Sequence, residues 1–138
     1  MAEDDFSMLQ VLVVDDQKAM RSIIRNLLKQ VGIDKVEEAA NGEEALKWLQ
    51  NPRANDPDVI ITDLYMDGMD GMELCNKIRR NEKLRSRATP IIILTGDEDE
   101  MMHEVGRQLG AASVLTKPVN ATELLEEIQT VIGYTAVS

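Results

Sequence analysis

Residues 9–16 read LQVLVVDD, an apolar run that ends in two aspartates, and this stretch decides how the rest of the chain is interpreted. Residues 59–63 read VIITD and end in the same way, at Asp63. Short runs rich in β-branched residues are typical of buried strands. In an open parallel sheet, ligands bind in the crevice at the carboxyl ends of the strands. If these two strands are neighbours, Asp15, Asp16 and Asp63 share one pocket.

Three carboxylates in one pocket repel one another unless a cation joins them. Ligands that offer only oxygen atoms suit Mg²⁺, which usually takes one or two carboxylates and keeps several waters. We therefore predict that Asp15, Asp16 and Asp63 bind Mg²⁺.

The rest of the chain alternates between short apolar runs and amphipathic segments. The apolar runs predict strands over residues 9–14, 35–40, 59–63, 90–94 and 112–115. Apolar residues that recur every three or four positions predict helices over residues 17–31, 43–50, 69–81, 97–109 and 120–132. Five strand–helix pairs predict an α/β fold, a doubly wound five-stranded parallel sheet with helices on both faces.

Length and composition predict one domain in a reducing compartment. The 138 residues, 43% of them hydrophobic, are enough for one core, and residues 1–138 are predicted to form a single domain without an output domain. The net charge of −10 disfavours direct binding to nucleic acid or to an anionic membrane. Cys75 is the sole cysteine, and no apolar stretch approaches a membrane span of about 18 residues. The predicted location is the cytoplasm.

Two further side chains follow predicted strands and change the interpretation of the acidic pocket. Thr95 follows the fourth strand and Lys117 follows the fifth. Mg²⁺ and a lysine would neutralise the oxygens of an incoming phosphoryl group, and a threonine could donate a hydrogen bond to one of them. A carboxylate can itself be the nucleophile, and it is already ionised at neutral pH.

At these residues the chain resembles the receiver domains of bacterial two-component response regulators, which have the CheY-like variant of the flavodoxin-like fold. The resemblance covers about residues 8–132. It is carried by the motifs VLVVDD at 11–16, MRSIIRNLLK at 20–29, VEEAANGEEAL at 36–46, DLYMDGMDG at 63–71, ILTG at 93–96 and GAASVLTKP at 110–118.

The resemblance implies a role for each residue of the pocket. Asp63 would be the phosphoacceptor, and Thr95 and Lys117 would bind the phosphoryl group and switch the domain. The ligands of Mg²⁺ would be Asp15, Asp16, Asp63 and the backbone carbonyl of Tyr65. Such a domain phosphorylates and dephosphorylates itself without being a turnover enzyme.

The resemblance also implies partners. The donor would be a histidine kinase or a His-containing phosphotransfer protein, contacting the exposed side of the first helix near Lys18, Arg21 and Ser22. A downstream protein would bind the face formed by helix four, strand five and helix five. The sequence leaves open whether the protein acts in chemotaxis, in a phosphorelay or as a phosphate sink.

Three positions depart from the family pattern or are predicted to modulate the site. Val114 occupies a position where the family commonly has an aromatic switch residue, so switching through a ring is excluded there. Tyr65 and Asp97 are predicted to modulate the reaction. A large ring at position 65 would obstruct the attacking water, which predicts slow loss of the phosphoryl group.

Other functions fit the sequence less well. The run from Asp63 resembles part of a calcium loop, but Tyr65 and Leu74 occupy two ligand positions. A phosphatase of the Asp-x-Asp kind needs an acid at position 65, where this chain has Tyr65. A dinucleotide-binding fold needs a glycine-rich turn after the first strand, but residues 17–19 read QKA and contain no glycine. The alternative that stays open is a receiver-like scaffold that works without phosphorylation.

The remaining reactive or bulky side chains are predicted to be structural. Cys75 is expected to be a small buried hydrophobe, and Trp48 is expected to pack its helix against the sheet. His103 is predicted to be an exposed side chain without a role. Packing is also the predicted role of three methionines, Met66, Met69 and Met72.

Overall fold

The computed structural model describes residues 6–133. The strands are β1 (Gln10–Val14), β2 (Lys35–Ala39), β3 (Val59–Asp63), β4 (Ile91–Thr95) and β5 (Ser113–Thr116). The helices are α1 (Lys18–Gln30), α2 (Gly42–Gln50), α3 (Gly71–Arg80), α4 (Glu100–Gln108) and α5 (Ala121–Val131). All the strands are parallel and form one sheet in the order β2-β1-β3-β4-β5, so the predicted fold class is confirmed.

Two helices begin two or three residues later than the sequence predicts, because a capping aspartate fixes each start. The Asp70 side chain accepts a hydrogen bond from the Glu73 N–H, and α3 begins at Gly71 instead of residue 69. The Asp99 side chain accepts one from the Met101 N–H, and α4 begins at Glu100 instead of residue 97. A 3₁₀ turn over Arg85–Ala88 was not predicted, since four residues are too few to show a period.

Each face of the sheet is covered by its own apolar core. Successive residues of a strand point to opposite faces, so Leu12 and Val14 belong to one core while Val11 and Val13 belong to the other. The first core receives side chains from α2, α3 and α4, and the second receives them from α1 and α5. The helices therefore lie on both faces of the sheet, as predicted.

The side chains predicted to be structural behave largely as expected. Cys75 is completely buried, Met66 and Met72 are buried, and Met69 and Trp48 pack partly buried against the first core. The prediction for His103 is wrong, because this side chain is buried at 5% exposure. Across residues 6–133, no helix has the length and apolar character needed to span a bilayer.

The register of the strands aligns their carboxyl ends along one edge. Val14 pairs with Thr62 in the neighbouring strand, and Thr95 pairs with Thr116. Because β1 and β3 are adjacent, the acidic residues that follow Val14 lie beside Asp63. The predicted pocket required β1 and β3 to be neighbours, and the fold meets this condition.

Candidate functional site

The structure brings the three predicted carboxylates together. One oxygen from each of Asp15, Asp16 and Asp63 lies within 4.8 Å of the other two. Asp15 is buried at the end of β1, and Asp63 is partly buried at the end of β3. Asp16 is tied to the loop after β3, because its Oδ2 accepts a hydrogen bond of 3.0 Å from the Asp67 N–H.

Asp15 provides the observation that fits a cation. Its Oδ1 accepts a hydrogen bond of 2.9 Å from the Gln17 N–H. Its Oδ2 is buried and has no hydrogen-bond partner within the part of the chain that the structure describes. Burial raises the pKa of Asp15 above its usual value, and the negative charge of Asp63 raises it further. A buried carboxylate oxygen that accepts no hydrogen bond, close to two other carboxylates, fits a hard divalent cation such as Mg²⁺.

Lys117 supplies the positive charge of the pocket. Its Nζ lies 3.2 Å from Asp63 Oδ1 and 4.0 Å from Asp15 Oδ2. The backbone holds the residue in place, since the Lys117 N–H donates to the Thr95 carbonyl at 2.7 Å. The ammonium group therefore contacts the carboxylate predicted to accept the phosphoryl group.

Thr95 is fully buried at the end of β4, next to β3. Its Oγ1 accepts a hydrogen bond of 3.0 Å from the Asp97 N–H. Because the oxygen accepts in that bond, the hydroxyl retains its own hydrogen for donation to another group. Thr95 can thus donate to an anion while it stays bonded to the loop after β4.

Tyr65 and Asp97, the predicted modulating positions, contact each other directly. The Tyr65 hydroxyl donates to Asp97 Oδ2 at 2.6 Å, although 55% of the tyrosine is exposed. This hydrogen bond raises the pKa of Tyr65 and lowers the pKa of Asp97. The bond connects the loop after β3 to the loop after β4. The role of the Tyr65 carbonyl as a metal ligand remains a prediction.

The burial of His103 has a local cause. Its Nε2 lies 2.7 Å from the Asp97 carbonyl oxygen, which satisfies the imidazole N–H inside the protein. The sequence shows only an isolated histidine on a helix. Its partner is a backbone carbonyl, which every residue carries, so no residue type in the sequence signals the contact.

Arg21 also differs from its prediction, because it is not one of the exposed residues of α1. Only 14% of its side chain is exposed. Its Nε donates to Glu38 Oε1 at 2.9 Å, and its Nη1 donates to the Asp15 carbonyl at 2.7 Å. Lys18 and Ser22 are exposed, as predicted. Arg21 therefore braces the loop that carries the acidic residues.

Val114 is buried and packs against α4. A Cβ atom added at Gly106 of α4 would lie 3.1 Å from Val114 Cγ2. The missing side chain at Gly106 lets α4 lie close to β5, and Val114 fills the space between them. A ring at position 114 would have to displace this contact.

Comparison with known proteins agrees with the geometry. The family model "Response regulator receiver domain" matches residues 11–129. The Streptomyces coelicolor protein "Transcriptional regulatory protein AfsQ1" is 36% identical over 125 residues, which are 91% of this chain and 52% of that protein. The chain thus spans about half the length of this curated relative.

Solved structures with similar folds include a chemotaxis protein and another response regulator. The Vibrio cholerae chemotaxis protein CheY4 superposes with a TM-score of 0.78 at 36% identity, covering 90% of this chain and 98% of that one. The response regulator TrrA from Thermotoga maritima, solved in complex with Mg²⁺ and BeF, has a TM-score of 0.73 at 30% identity. That match covers 90% of this chain and 99% of TrrA.

Proposed function

Because the chain belongs to the response regulator receiver domain family, we propose that it accepts a phosphoryl group on Asp63. The donor is a phosphohistidine of a histidine kinase or of a phosphotransfer protein. The reaction depends on Mg²⁺, and the phosphorylated domain signals through a conformational shift to a protein partner. A receiver of this kind is a phosphoacceptor and not a turnover enzyme.

The observation that carries this proposal is the contact of Asp63 with Lys117 beside the buried Oδ2 of Asp15, which accepts no hydrogen bond from the described residues. The Asp63 carboxylate attacks phosphorus, a P–O bond forms, and the P–N bond to the donor imidazole breaks. The released imidazole nitrogen takes up a proton. Lys117 neutralises charge on the transferred group, and the Thr95 hydroxyl donates a hydrogen bond to one of its oxygens.

Asp15, Asp16 and Asp63 would hold Mg²⁺, together with the Tyr65 carbonyl. When bound, the ion supplies positive charge that offsets the repulsion between these carboxylates and the phosphoryl oxygens. The mutual approach of the three carboxylates within 4.8 Å supports this assignment.

The proposed output is a change of protein contacts. A phosphoryl group stabilises whichever conformation its contacts favour, and this shifts the population of the domain. The downstream partner binds the face formed by α4, β5 and α5, while the donor contacts the exposed side of α1 near Lys18 and Ser22. The similar proteins bear names from both transcription and chemotaxis, so the proposal specifies a protein contact and no pathway.

The test is incubation with a small-molecule phosphodonor, with and without Mg²⁺, followed by intact mass. We expect a gain of one phosphoryl group that requires Mg²⁺ and disappears in Asp63→Ala. The control is Asp67→Asn, which removes an exposed acidic side chain from the neighbouring loop and should retain the gain. No gain under any condition would favour the phosphorylation-independent scaffold.

A further inference from the structure

His103 is a buried imidazole for which the proposed reaction has no use. It lies in α4, and its Nε2 is 2.7 Å from the carbonyl oxygen of Asp97. A carbonyl oxygen only accepts hydrogen bonds, so Nε2 carries the hydrogen and donates it. This bond ties α4 to the loop that follows β4.

Asp97 is held at every one of its polar groups. Its N–H donates to Thr95 Oγ1 at 3.0 Å, and its carbonyl accepts from His103. Its carboxylate accepts from the Tyr65 hydroxyl at 2.6 Å and from the Asp99 N–H at 2.9 Å. A single loop residue therefore joins two residues at the edge of the phosphoryl site to a buried side chain of α4.

The packing of Gly106 in α4 against β4 and β5 leaves no room for an aromatic switch residue at position 114. Val114 Cγ2 and Ile93 Cδ1 lie 3.1 Å and 3.5 Å from the place where a Cβ at Gly106 would be. An aromatic ring that swings between buried and exposed positions needs space that α4 occupies here. The hydrogen bonds of Asp97 provide a direct connection from Thr95 to α4.

We propose that Thr95, Asp97 and His103 form a hydrogen-bonded relay that transmits phosphorylation of Asp63 to α4, with His103 as the positioning residue on the helix. The Tyr65 hydroxyl holds the Asp97 carboxylate, so that a shift of Thr95 is passed on to the Asp97 carbonyl. This inference rests on the proposed function. Oxygens of the phosphoryl group attract the Thr95 hydroxyl, and Thr95 Oγ1 stays bonded to the Asp97 N–H. A shift of Thr95 therefore moves Asp97, and the Asp97 carbonyl moves α4 through His103.

The test compares two substitutions of His103 that differ in one hydrogen-bond donor. His103→Leu removes the donor and fills the space with an apolar side chain. His103→Gln keeps an N–H near the position of Nε2. Each protein is treated with a small-molecule phosphodonor and Mg²⁺, its phosphoryl uptake is measured by intact mass, and hydrogen exchange is followed in residues 100–108.

We expect phosphorylation to change amide exchange in α4 of the wild type and of His103→Gln. His103→Leu should take up the phosphoryl group to the same extent but lose most of the change in α4. Tyr65→Phe tests the hold on the Asp97 carboxylate and does not touch the core, because the lost hydroxyl is at the surface. Its phosphoryl uptake is measured by intact mass, the change in α4 is compared at the same fraction of phosphorylated protein as in the wild type, and Tyr65→Phe should lose most of that change.

The outcomes separate this inference from the proposed function. A wild type that gains no mass overturns both. A wild type that gains mass without any change in α4 overturns the relay alone. The relay is also overturned if His103→Leu and Tyr65→Phe both transmit the full change. If His103→Leu fails to fold, as urea unfolding would show, Tyr65→Phe decides the matter by the same measurement.

Discussion

At the scale of one residue, the buried charge of Asp15 in the acidic pocket lowers the stability of the folded protein at neutral pH. Burial and the nearby negative charge of Asp63 disfavour its charged form, and the pKa of Asp15 is raised. An acid with a raised pKa binds a proton more readily in the folded state. The stability that it contributes is therefore present at acid pH and lost as pH rises from the unfolded to the folded pKa.

Asp15→Asn should consequently stabilise the metal-free protein at neutral pH, by about 1–3 kcal/mol, the usual cost of an unsatisfied buried polar group. The gain should vanish below the unfolded pKa of an aspartate, where the wild-type side chain is protonated too. Urea unfolding in the presence of a chelator, at neutral and at acid pH, measures both values. Asp67→Asn is the control, and a variant no more stable than the wild type would contradict the prediction.

Tyr65 sets the lifetime of the phosphoryl group in our interpretation. Its ring lies between the loops after β3 and β4 and is fixed by the bond to Asp97. Tyr65→Asn should lose the phosphoryl group roughly tenfold faster, which corresponds to about 1.4 kcal/mol of barrier. Tyr65→Phe keeps the ring and separates obstruction by the ring from the effect of the hydroxyl. The decay of phosphorylated protein by intact mass is the measurement, and unchanged decay in Tyr65→Asn would refute the role.

The residues that sequence analysis identified differ in kind from those it missed. Asp63, Thr95 and Lys117 follow apolar runs, so their residue types and positions both signal a site at strand ends. His103 and Arg21 act on backbone carbonyls, of Asp97 and Asp15, which have no signature in the sequence. Such contacts are found only in the folded structure, because every residue carries a backbone carbonyl that could be the partner.

At the scale of elements, α1 holds the end of β1 through Arg21. The Arg21 guanidinium contacts the Asp15 carbonyl as well as Glu38. Arg25 also contacts Glu38, but its second partner is the Val36 carbonyl, away from the pocket. Arg21→Met should weaken Mg²⁺ binding about tenfold, the lower end of what loss of outer contacts costs a metal site. Arg25→Met removes the same charge and should leave the affinity near that of the wild type. Calorimetric titration with Mg²⁺ measures both, and equal effects would argue against positioning by Arg21.

Arg21 and Arg25 of α1 also donate hydrogen bonds to Glu38 of β2, and the strength of this contact depends on pH. Burial alone would raise the pKa of Glu38, but hydrogen bonds from Arg25 and Arg21 outweigh it and lower the pKa. An acid with a lowered pKa contributes stability above its unfolded pKa and loses it as pH falls through the folded value.

Glu38→Gln should therefore lower the free energy of unfolding at neutral pH by about 1–2 kcal/mol, as expected for charged hydrogen bonds. The difference from the wild type should shrink in acid, once Glu38 is protonated. Glu37→Gln changes the exposed neighbour on the same strand and serves as the control in urea unfolding. A deficit that is the same at neutral and acid pH would show that the charge of Glu38 is not its source.

At the scale of the whole molecule, the order of the strands places the site. Alternating strands and helices predicted a parallel sheet, but the sequence left the neighbours of each strand undetermined. Strands β1 and β3 are adjacent, with their crossover helices on opposite faces, and a crevice opens where the winding reverses. Pairing between distant segments decides this order, and local periodicity contains no information about it.

The net charge of −10 affects the whole molecule as well as the site. Sodium chloride should stabilise the protein gradually, because it screens repulsion among exposed carboxylates. Mg²⁺ at equal ionic strength should add a saturable gain, about 1.4 kcal/mol at a tenfold excess over the dissociation constant. Asp16→Asn should lose the saturable part and keep the response to sodium chloride. Glu126→Gln, an equal charge change at an exposed position of α5, should keep both. Urea unfolding in the two salts separates the contributions, and an equal loss in both variants would mean that Mg²⁺ acts by general screening and not at the acidic pocket.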